Sequence, residues 1–189
     1  MTSEAPAGER DFQVAFRGVL GRFATGVTVM TTLADGVDHA MTASAFCSVS
    51  MEPPLVLICV DRRNRIHDAL VSSGSWGVSV LAQDGRDAAT WLARRGRALE
   101  GQLDPFAYSR GEVTGAALFD NAIAWLECRT WQSYDGGDHT IVVGEVLSAR
   151  VWEDRDDPLL YYRSHYGLLV PTESSEKNSG PIDPSVDSA

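Results

Sequence analysis

The chain has 189 residues, of which 44% are hydrophobic and 22% charged, a composition typical of a single globular domain. This composition excludes a collagen-like repeat, a coiled-coil rod and a chain that is disordered throughout. The formal net charge of -10 argues against nucleic acid as a partner, because phosphate binding needs lysines and arginines in number. The longest apolar run, residues 55–60, is far shorter than the ~20 residues of a membrane helix. The first residues lack the basic region and apolar core of a secretory signal, so we expect a soluble, cytoplasmic protein with no membrane partner.

We expect residues 11–170 to form one packed domain between two poorly ordered ends. Residues 1–10 have little to bury, and residues 171–189 are rich in proline, serine and acidic residues. Such segments cannot bury enough apolar surface to fold. The prediction is a flexible N-terminus, a single domain and a disordered acidic tail.

The first predicted elements are a helix and a β-hairpin. Phenylalanine, valine and leucine recur at helical spacing over residues 11–23, which predicts an amphipathic helix with Asp11 as its N-cap and Gly26 after its end. Residues 27–33 are β-branched and alternating, which favours a strand. The following Ala34-Asp35-Gly36 predicts a hairpin turn into a second strand.

The middle of the chain mixes strands and short helices. Residues 55–60 form a continuous apolar run after two prolines, which predicts a buried strand. The residue pattern favours helices over residues 65–72 and 84–97, with a further strand over residues 76–81 between them.

The last third of the domain is mostly strand. Residues 123–131 and 140–152 are long extended runs joined around Asp135-Gly136-Gly137-Asp138, which is a strong hairpin signal. The predicted fold class is therefore mainly β with peripheral helices. A closed or partly closed antiparallel barrel is favoured, because closure removes exposed strand edges.

Several common catalytic motifs are absent from the sequence. It contains no G-x-G-x-x-G, Walker A, H-E-x-x-H or G-x-S-x-G pattern, and its four histidines have no metal-ligand spacing, so we expect no metal site. The three cysteines, Cys47, Cys59 and Cys128, lie in apolar stretches and are expected to be reduced, structural thiols.

Three segments combine residue types that can bind a ligand. Residues 41–50 place small hydroxyl side chains in a strand-like stretch, where a flat ligand could approach the backbone; a solvent-facing strand has the same composition. Residues 59–65 set three arginines and an asparagine at the start of a short helix, which is typical of an anion site or of a solvated loop. His139 follows two glycines and could donate a proton or orient a ligand, or could belong only to the turn.

The order of these segments resembles the flavin reductase component of two-component flavin-dependent monooxygenases. The resemblance covers roughly residues 12–169 and is carried by FATGVTVMTT, TASAFCSVSMEPPLVLICVDRRNR, GDHTIVVGEV and PLLYYRSHYGLL. The family implies an FMN-binding split β-barrel, usually a homodimer with flavin sites near the subunit interface. Its members use NADH or NADPH to reduce FAD or FMN and release diffusible reduced flavin to a partner monooxygenase.

The resemblance also implies roles for individual residues. The isoalloxazine and ribityl parts of the flavin would contact Thr42, Ala43, Ser44, Ala45, Ser48, Val49 and Ser50. The strand end that meets the flavin, and the phosphate side beyond it, would be Cys59, Val60, Asp61, Arg62, Asn64 and Arg65. The distal part of the flavin would lie near Trp91 and Leu92, and the nicotinamide near His139 and Tyr166.

Two positions depart from the family pattern. Leu92 stands where many members carry phenylalanine, which puts stacking of the dinucleotide tail in doubt. Ile66 replaces a small hydroxyl residue beside the phosphate, so Arg62, Asn64 or Arg65 would have to supply more of the anion binding.

The implied reaction is hydride transfer from NADH to FAD or FMN, with His139 positioning the nicotinamide. NADH is favoured over NADPH because no additional arginine clamp for a 2′-phosphate can be placed. The choice between FAD and FMN stays open. So do two other functions: a flavoprotein with permanently bound flavin, acting as an oxidase or a sensor, and a non-catalytic small-molecule binder. A role in natural-product biosynthesis is the favoured setting.

Overall fold

The computed structural model describes residues 7–152 and 157–170. Residues 1–6 and the tail predicted at 171–189 lie outside the described residues. Three helices are described, α1 (Ala7–Leu20), α2 (Ile66–Ser73) and α3 (Arg86–Ala93). Among the described residues, no helix is both long enough and apolar enough to cross a membrane.

Helix α1 begins earlier and ends earlier than the sequence predicts. It starts at Ala7, so Asp11 lies inside the helix and is not its N-cap, and residues 7–10 are helical. It ends at Leu20, well before Gly26. Every residue from Gly8 to Leu20 is exposed, so the apolar stripe of this helix is turned to solvent and not into the core.

The described strands number twelve. The first six are β1 (Thr25–Gly26), β2 (Thr28–Ala34), β3 (Val37–Ala43), β4 (Phe46–Met51), β5 (Pro54–Asp61) and β6 (Ser75–Leu81). The other six are β7 (Tyr108–Arg110), β8 (Ala117–Phe119), β9 (Ala122–Gly136), β10 (His139–Val151), β11 (Leu159–Tyr162) and β12 (His165–Leu168).

Seven strands form the main antiparallel sheet in the order β3-β2-β6-β9-β10-β5-β4. The predicted β2–β3 hairpin is confirmed: Asp35 and Gly36 have left-handed φ angles of 51° and 75°, which a tight two-residue turn requires. The predicted β9–β10 hairpin is also confirmed, with Gly137 at φ 78° in its turn. The edge strands β3 and β4 do not pair with each other, so the sheet is not closed and the mainly β, partly closed alternative holds.

A separate three-stranded sheet, β1-β11-β12, joins the two ends of the described chain. Thr25 pairs with Tyr161 and Gly26 with Leu160. The hairpin of β11 and β12 therefore lies beside the segment that follows α1. This small sheet later supplies one wall of the candidate site.

The core consists of two buried clusters. One packs α2 against the main sheet and contains the fully buried Trp76 and Ile58. The strand predicted at residues 55–60 is confirmed as β5, but burial alternates along it, so only every second side chain belongs to this cluster. The other cluster packs α3 against the β1–β2 segment and contains Leu92 and Phe119.

Helix α3 is shorter than the predicted helix at 84–97. A 3₁₀ turn (Gln83–Gly85) precedes it, and the helix ends at Ala93. Arg94 is already extended, with ψ at 133°, so the arginines that follow lie on an irregular segment. That segment turns back toward β3 and forms part of the candidate site.

Candidate functional site

Three adjoining cavities form a continuous groove along the edge of the sheet. The largest, which we call the apolar cavity, has a volume of about 510 Å³ and lies between the end of α1, the β3–β4 connection and the β11–β12 hairpin. A cleft of about 180 Å³ shares Ser44 with it. The cleft shares Thr42 and Ala93 with a third space of about 440 Å³, which we call the basic cavity. Both larger volumes are in the range of sites that hold small ligands.

The apolar cavity is suited to a flat ring with polar edges. Its walls include Phe23, Phe46 and Leu57, and Ser44 and Ala45 bring the backbone of the β3–β4 connection to its surface. The Cys59 amide donates to the Ala45 carbonyl over 3.1 Å, which ties this connection to β5. Small side chains at this place allow close approach of a ligand to the backbone.

The cysteines do not all occupy the buried positions that the sequence suggests. Cys128 is buried, and burial together with Glu127 raises the pKa of its thiol to about 12. Cys59 is half-buried, and desolvation, followed by the neighbouring Cys47, raises its pKa. Cys47 is exposed, and both it and Cys59 line the apolar cavity. All three cysteines are free, as expected, but Cys47 is exposed and so is not a packed structural thiol.

The basic cavity has an unusual charge for an acidic chain. Its lining carries five arginines and no carboxylate among the described residues, namely Arg63, Arg65, Arg94, Arg95 and Arg97. Three come from the irregular segment after α3, and two from the loop between β5 and α2. This concentration of guanidinium groups is typical of a site for phosphate.

Three of these arginines, Arg65, Arg94 and Arg97, contact only neutral groups among the described residues. Arg65 donates to the Arg97 carbonyl over 2.6 Å and to the Gln102 side chain over 3.3 Å, and Arg97 donates to the Ala40 carbonyl. The guanidinium of Arg94 lies 5.7 Å from the centroid of the Trp91 ring. Because these partners are uncharged, they leave the positive charge of Arg65, Arg94 and Arg97 uncompensated, whereas Arg63 and Arg95 pair with Asp61.

Two buried nitrogen atoms beside the basic cavity lack a partner within the described residues, Arg97 Nε and His39 Nδ1. Burial, and then the charge of Arg65, lower the pKa of both the Arg97 guanidinium and the His39 imidazole. Both atoms need a polar partner, and the N–H of Arg97 Nε can donate to an anion bound in the basic cavity.

Half of the residues that the resemblance implies line these cavities. Ser44, Ala45 and Cys59 line the apolar cavity, Tyr166 lines the cleft, and Asn64, Arg65 and Leu92 line the basic cavity; Thr42 lies between the last two spaces. The hydroxyl of Thr42 donates to the Ala89 carbonyl over 2.7 Å, which fixes α3 to β3.

The other implied residues lie outside the three cavities. They are Ala43, Ser48, Val49, Ser50, Val60, Asp61, Arg62, Trp91 and His139. Ala43 and Val60 are buried in the core. Ser48, Val49 and Ser50 continue along β4, away from the connection that forms the cavity wall. Trp91 donates its indole N–H to the Gln102 carbonyl over 3.0 Å, which supports the arginine segment.

His139 lies at the start of β10, opposite Asp61 on β5. Its Nδ1 is 2.6 Å from Oδ1 of Asp138. Hydrogen bonds from Arg63, with a smaller contribution from His139, lower the pKa of Asp61 to about 2. Asp61 also pairs with Arg95 over 3.3 Å. His139 is thus connected through Asp61 to two arginines of the basic cavity, although it does not line the cavity itself.

Sequence reasoning missed several residues of the groove. Arg94, Arg95 and Arg97 lie on a stretch that the sequence assigned to a helix, although the run RRGR in an acidic chain was a usable signal. Tyr161 and Arg163 come to the apolar cavity through the long-range pairing of β11 with β1, which local patterns do not show.

Comparison with known proteins identifies the kind of domain. Residues 20–169 match the family model described as "Flavin reductase like domain". An NADH-dependent FAD reductase of Streptomyces globisporus is 42% identical over 148 residues, which cover 78% of this chain and 81% of the relative. The reductase subunit HsaB of a flavin-dependent monooxygenase of Mycobacterium tuberculosis is 34% identical over 163 residues, covering 85% and 84%.

A solved structure adds a likeness in three dimensions. The NADH:FAD oxidoreductase SgcE6 of Streptomyces globisporus C-1027, in complex with NAD and FAD fragments, superposes with a TM-score of 0.80 at 37% identity. The match covers 91% of this chain and 99% of that chain. The likeness therefore extends over the main sheet, the small sheet and the groove between them.

Proposed function

The chain belongs to the flavin reductase like domain family, and we propose that the groove described above is where it binds and reduces flavin. The protein is an NADH-dependent flavin reductase: it reduces FAD or FMN and supplies the reduced flavin to a partner monooxygenase. The observation that carries the assignment of the site is the continuity of an apolar cavity with an arginine-lined one.

The apolar and charged parts of a flavin nucleotide follow one another in the same order as the apolar and basic cavities of the groove. Its flat ring system fits the apolar cavity, where Ser44 and Ala45 offer backbone and hydroxyl groups to the ring edges. Its phosphate groups fit the basic cavity, where the Arg65 and Arg94 guanidinium groups face no carboxylate partner among the described lining residues. Thr42 lies where the small cleft meets the basic cavity.

The chemistry is hydride transfer, which the two nucleotides supply: the C4–H bond of NADH breaks with its electron pair, an N5–H bond forms on the flavin, and NADH leaves as NAD⁺. The protein contributes binding and orientation. The apolar walls pack against the ring and the arginines hold the phosphates, which together orient the flavin in the groove.

We assign His139 to the binding of the nicotinamide. With the Asp138 carboxylate as acceptor, Nδ1 donates the 2.6 Å hydrogen bond, and Nε2 is the nitrogen that remains for a ligand. The turn that carries His139 is fixed by a hydrogen bond from the Arg62 amide to the Asp138 carbonyl, 3.1 Å long. Such an arrangement orients a group and does not require that it transfer a proton.

We also propose that the protein works as a homodimer formed through α1. The exposed apolar side chains of this helix and the residues after it are Phe12, Phe16, Val19, Leu20 and Phe23. A contiguous patch of this kind on a soluble enzyme marks an interaction surface. Because Leu20 and Phe23 also line the apolar cavity, a second copy seated on α1 would lie next to the flavin site.

The setting of the reaction is part of the same proposal. NADH is an intracellular nucleotide and Cys128 is a free, buried thiol, both of which support a cytoplasmic location. Natural-product biosynthesis is supported by the likeness to the oxidoreductase of Streptomyces globisporus C-1027.

The test is consumption of NADH by the purified protein, followed with FAD, FMN or riboflavin and without any flavin. We expect consumption to require added flavin and to saturate with it. Riboflavin, which lacks phosphate, should show a KM at least about tenfold above that of FMN if the basic cavity binds phosphate. Consumption without added flavin would show a permanently bound group, and no consumption under any condition would contradict the reductase function.

A further inference from the structure

The turn between β11 and β12 has an unusual backbone. Arg163 and Ser164 both adopt left-handed conformations, with φ angles of 49° and 64°. Turns of this type strongly prefer Asn-Gly, because side chains with a Cβ atom are disfavoured there. Two non-glycine residues in such a turn indicate a site where the side chains themselves are needed.

This turn is firmly attached to the wall of the apolar cavity. The Arg163 amide donates to the Gly21 carbonyl over 2.8 Å, which joins the turn to the segment after α1. The Arg163 carbonyl is 2.7 Å from His165 Nδ1. Both Arg163 and Ser164 line the cavity. The strained turn therefore has a fixed position beside the space that we assign to the flavin ring.

Arg163 is the only charged residue that the described part of the chain contributes to the lining of this cavity. Its guanidinium makes no hydrogen bond or ion pair with another described residue, whereas Arg63 and Arg95 in the basic cavity both pair with Asp61. Arg163 is exposed in the unliganded protein, and a ligand that fills the cavity would displace part of the water between itself and this cation, which strengthens their electrostatic interaction. The group that would pair with the Arg163 guanidinium is therefore a negatively charged part of a ligand in the cavity.

We propose that Arg163 stabilises the negative charge that the flavin ring gains on reduction, and thereby favours hydride transfer in this cavity. The inference rests on the proposed function, since it places the flavin ring in the apolar cavity. Hydride transfer adds negative charge to the ring, and a cation carried by a turn whose backbone is anchored at the cavity wall stabilises that charge. Arg163 is then a residue of the reaction itself and not only of binding.

The test compares the affinities of oxidised and reduced flavin for variants of the turn. Arg163→Ala should weaken binding of reduced flavin about tenfold more than binding of oxidised flavin, which lowers the midpoint potential of bound flavin by ~30 mV for a two-electron couple. In steady state, kcat should fall by a similar factor while the KM for NADH stays unchanged. Arg163→Lys, which keeps the charge, should retain most of the wild-type ratio of affinities.

Two further variants distinguish the effect of the Arg163 charge from that of the turn's backbone conformation and from that of any nearby positive charge. Ser164→Gly relaxes the left-handed turn while keeping the Arg163 charge, and should change the ratio of affinities much less than Arg163→Ala does. Arg22→Ala removes an exposed cation that donates only to the Gly18 carbonyl in the neighbouring segment, and should also leave the ratio unchanged.

Three results would overturn the proposal. Equal weakening of both redox forms by Arg163→Ala would make the residue a cavity wall only. If Arg163→Ala raises the KM for NADH and leaves the ratio of affinities for reduced and oxidised flavin unchanged, Arg163 binds the phosphates of NADH instead. If Arg22→Ala also changes the ratio of affinities for reduced and oxidised flavin, the effect comes from the long-range electrostatic field of the protein and not from a local contact with Arg163. If the wild-type protein itself fails to bind and reduce flavin, the proposed function fails, and that result is distinguishable from the other three.

Discussion

Phe12→Asp should convert the proposed dimer into a monomer. Phe12 is 65% exposed and stacks on Phe16 with ring centroids 6.1 Å apart. An aromatic side chain has roughly 200 Å² of surface, so about 130 Å² of apolar surface per copy is available to a partner. At ~25 cal/mol/Å², complete covering stabilises each copy by about 3 kcal/mol, and a two-fold interface counts this contribution twice. Even if only half of the area is covered, the dissociation constant should rise more than ~100-fold.

Sedimentation velocity over a range of protein concentrations measures this change. The matched control is Val14→Asp, which introduces the same charge at a position that is 71% exposed, about 200° around the helix from Phe12. We expect Val14→Asp to remain dimeric with wild-type thermal stability, and Phe12→Asp to stay folded by circular dichroism, since neither side chain is in the core; loss of the dimer lowers the melting temperature of Phe12→Asp only by removing the stabilisation from association. A wild-type monomer, or a Phe12→Asp variant as dimeric as the wild type, would refute the assignment of α1 to the interface.

Three further predictions follow from individual side chains. His139→Ala should raise the KM for NADH more than it lowers kcat in steady-state kinetics, because we assign His139 to positioning. Glu127→Ala should destabilise the fold by about 3 kcal/mol in denaturant unfolding, because the buried carboxylate accepts hydrogen bonds from the Val113 amide and from the amide and hydroxyl of Thr114. The raised pKa of Cys128 favours the neutral thiol in the fold, so its contribution to stability is present below about pH 9 and is lost as pH rises toward about 12. Thermal melts should therefore fall more steeply above pH 9 in the wild type than in Cys128→Ala.

Each of these predictions has a result that contradicts it. A fall of kcat by several orders of magnitude with unchanged KM would make His139 an obligatory acid. A loss below about 1 kcal/mol in Glu127→Ala would show that water replaces the carboxylate. If the melting temperatures of the wild type and Cys128→Ala fall equally with pH above 9, the thiol does not contribute to the loss of stability at high pH.

The strands were the most predictable part of the fold, because their signals are local. The apolar runs at 55–60 and 76–81 became β5 and β6, and Asp35-Gly36 became the expected turn. Helix bounds were less predictable. The arginines after Ala93 have good helix propensity, yet they leave the helix because Arg65, Arg97 and the Ala40 carbonyl hold one another in a tertiary arrangement.

The candidate site was predictable where the motif forms it directly. Ser44, Ala45 and Cys59 line the groove because the β3–β4 connection and β5 are adjacent both in sequence and in space. The basic cavity was only half predictable, since it combines the Arg65 loop with a segment some thirty residues further along the chain. The exposure of the α1 apolar stripe was not predictable, because periodicity gives the face of a helix and not what covers it.

The pairing of β1 with β11 has a consequence for how the enzyme is made. Strand β1 ends at Gly26, and its partner β11 begins only at Leu159, so this contact closes a loop of more than 130 residues. The main sheet needs neither strand and can form during synthesis while the later hairpin is still absent. Until that hairpin docks, the apolar cavity lacks the wall that contains Tyr161 and Arg163. Docking of the hairpin therefore completes the proposed flavin site, and flavin binding reports on this long-range contact as well as on the packing of the main sheet.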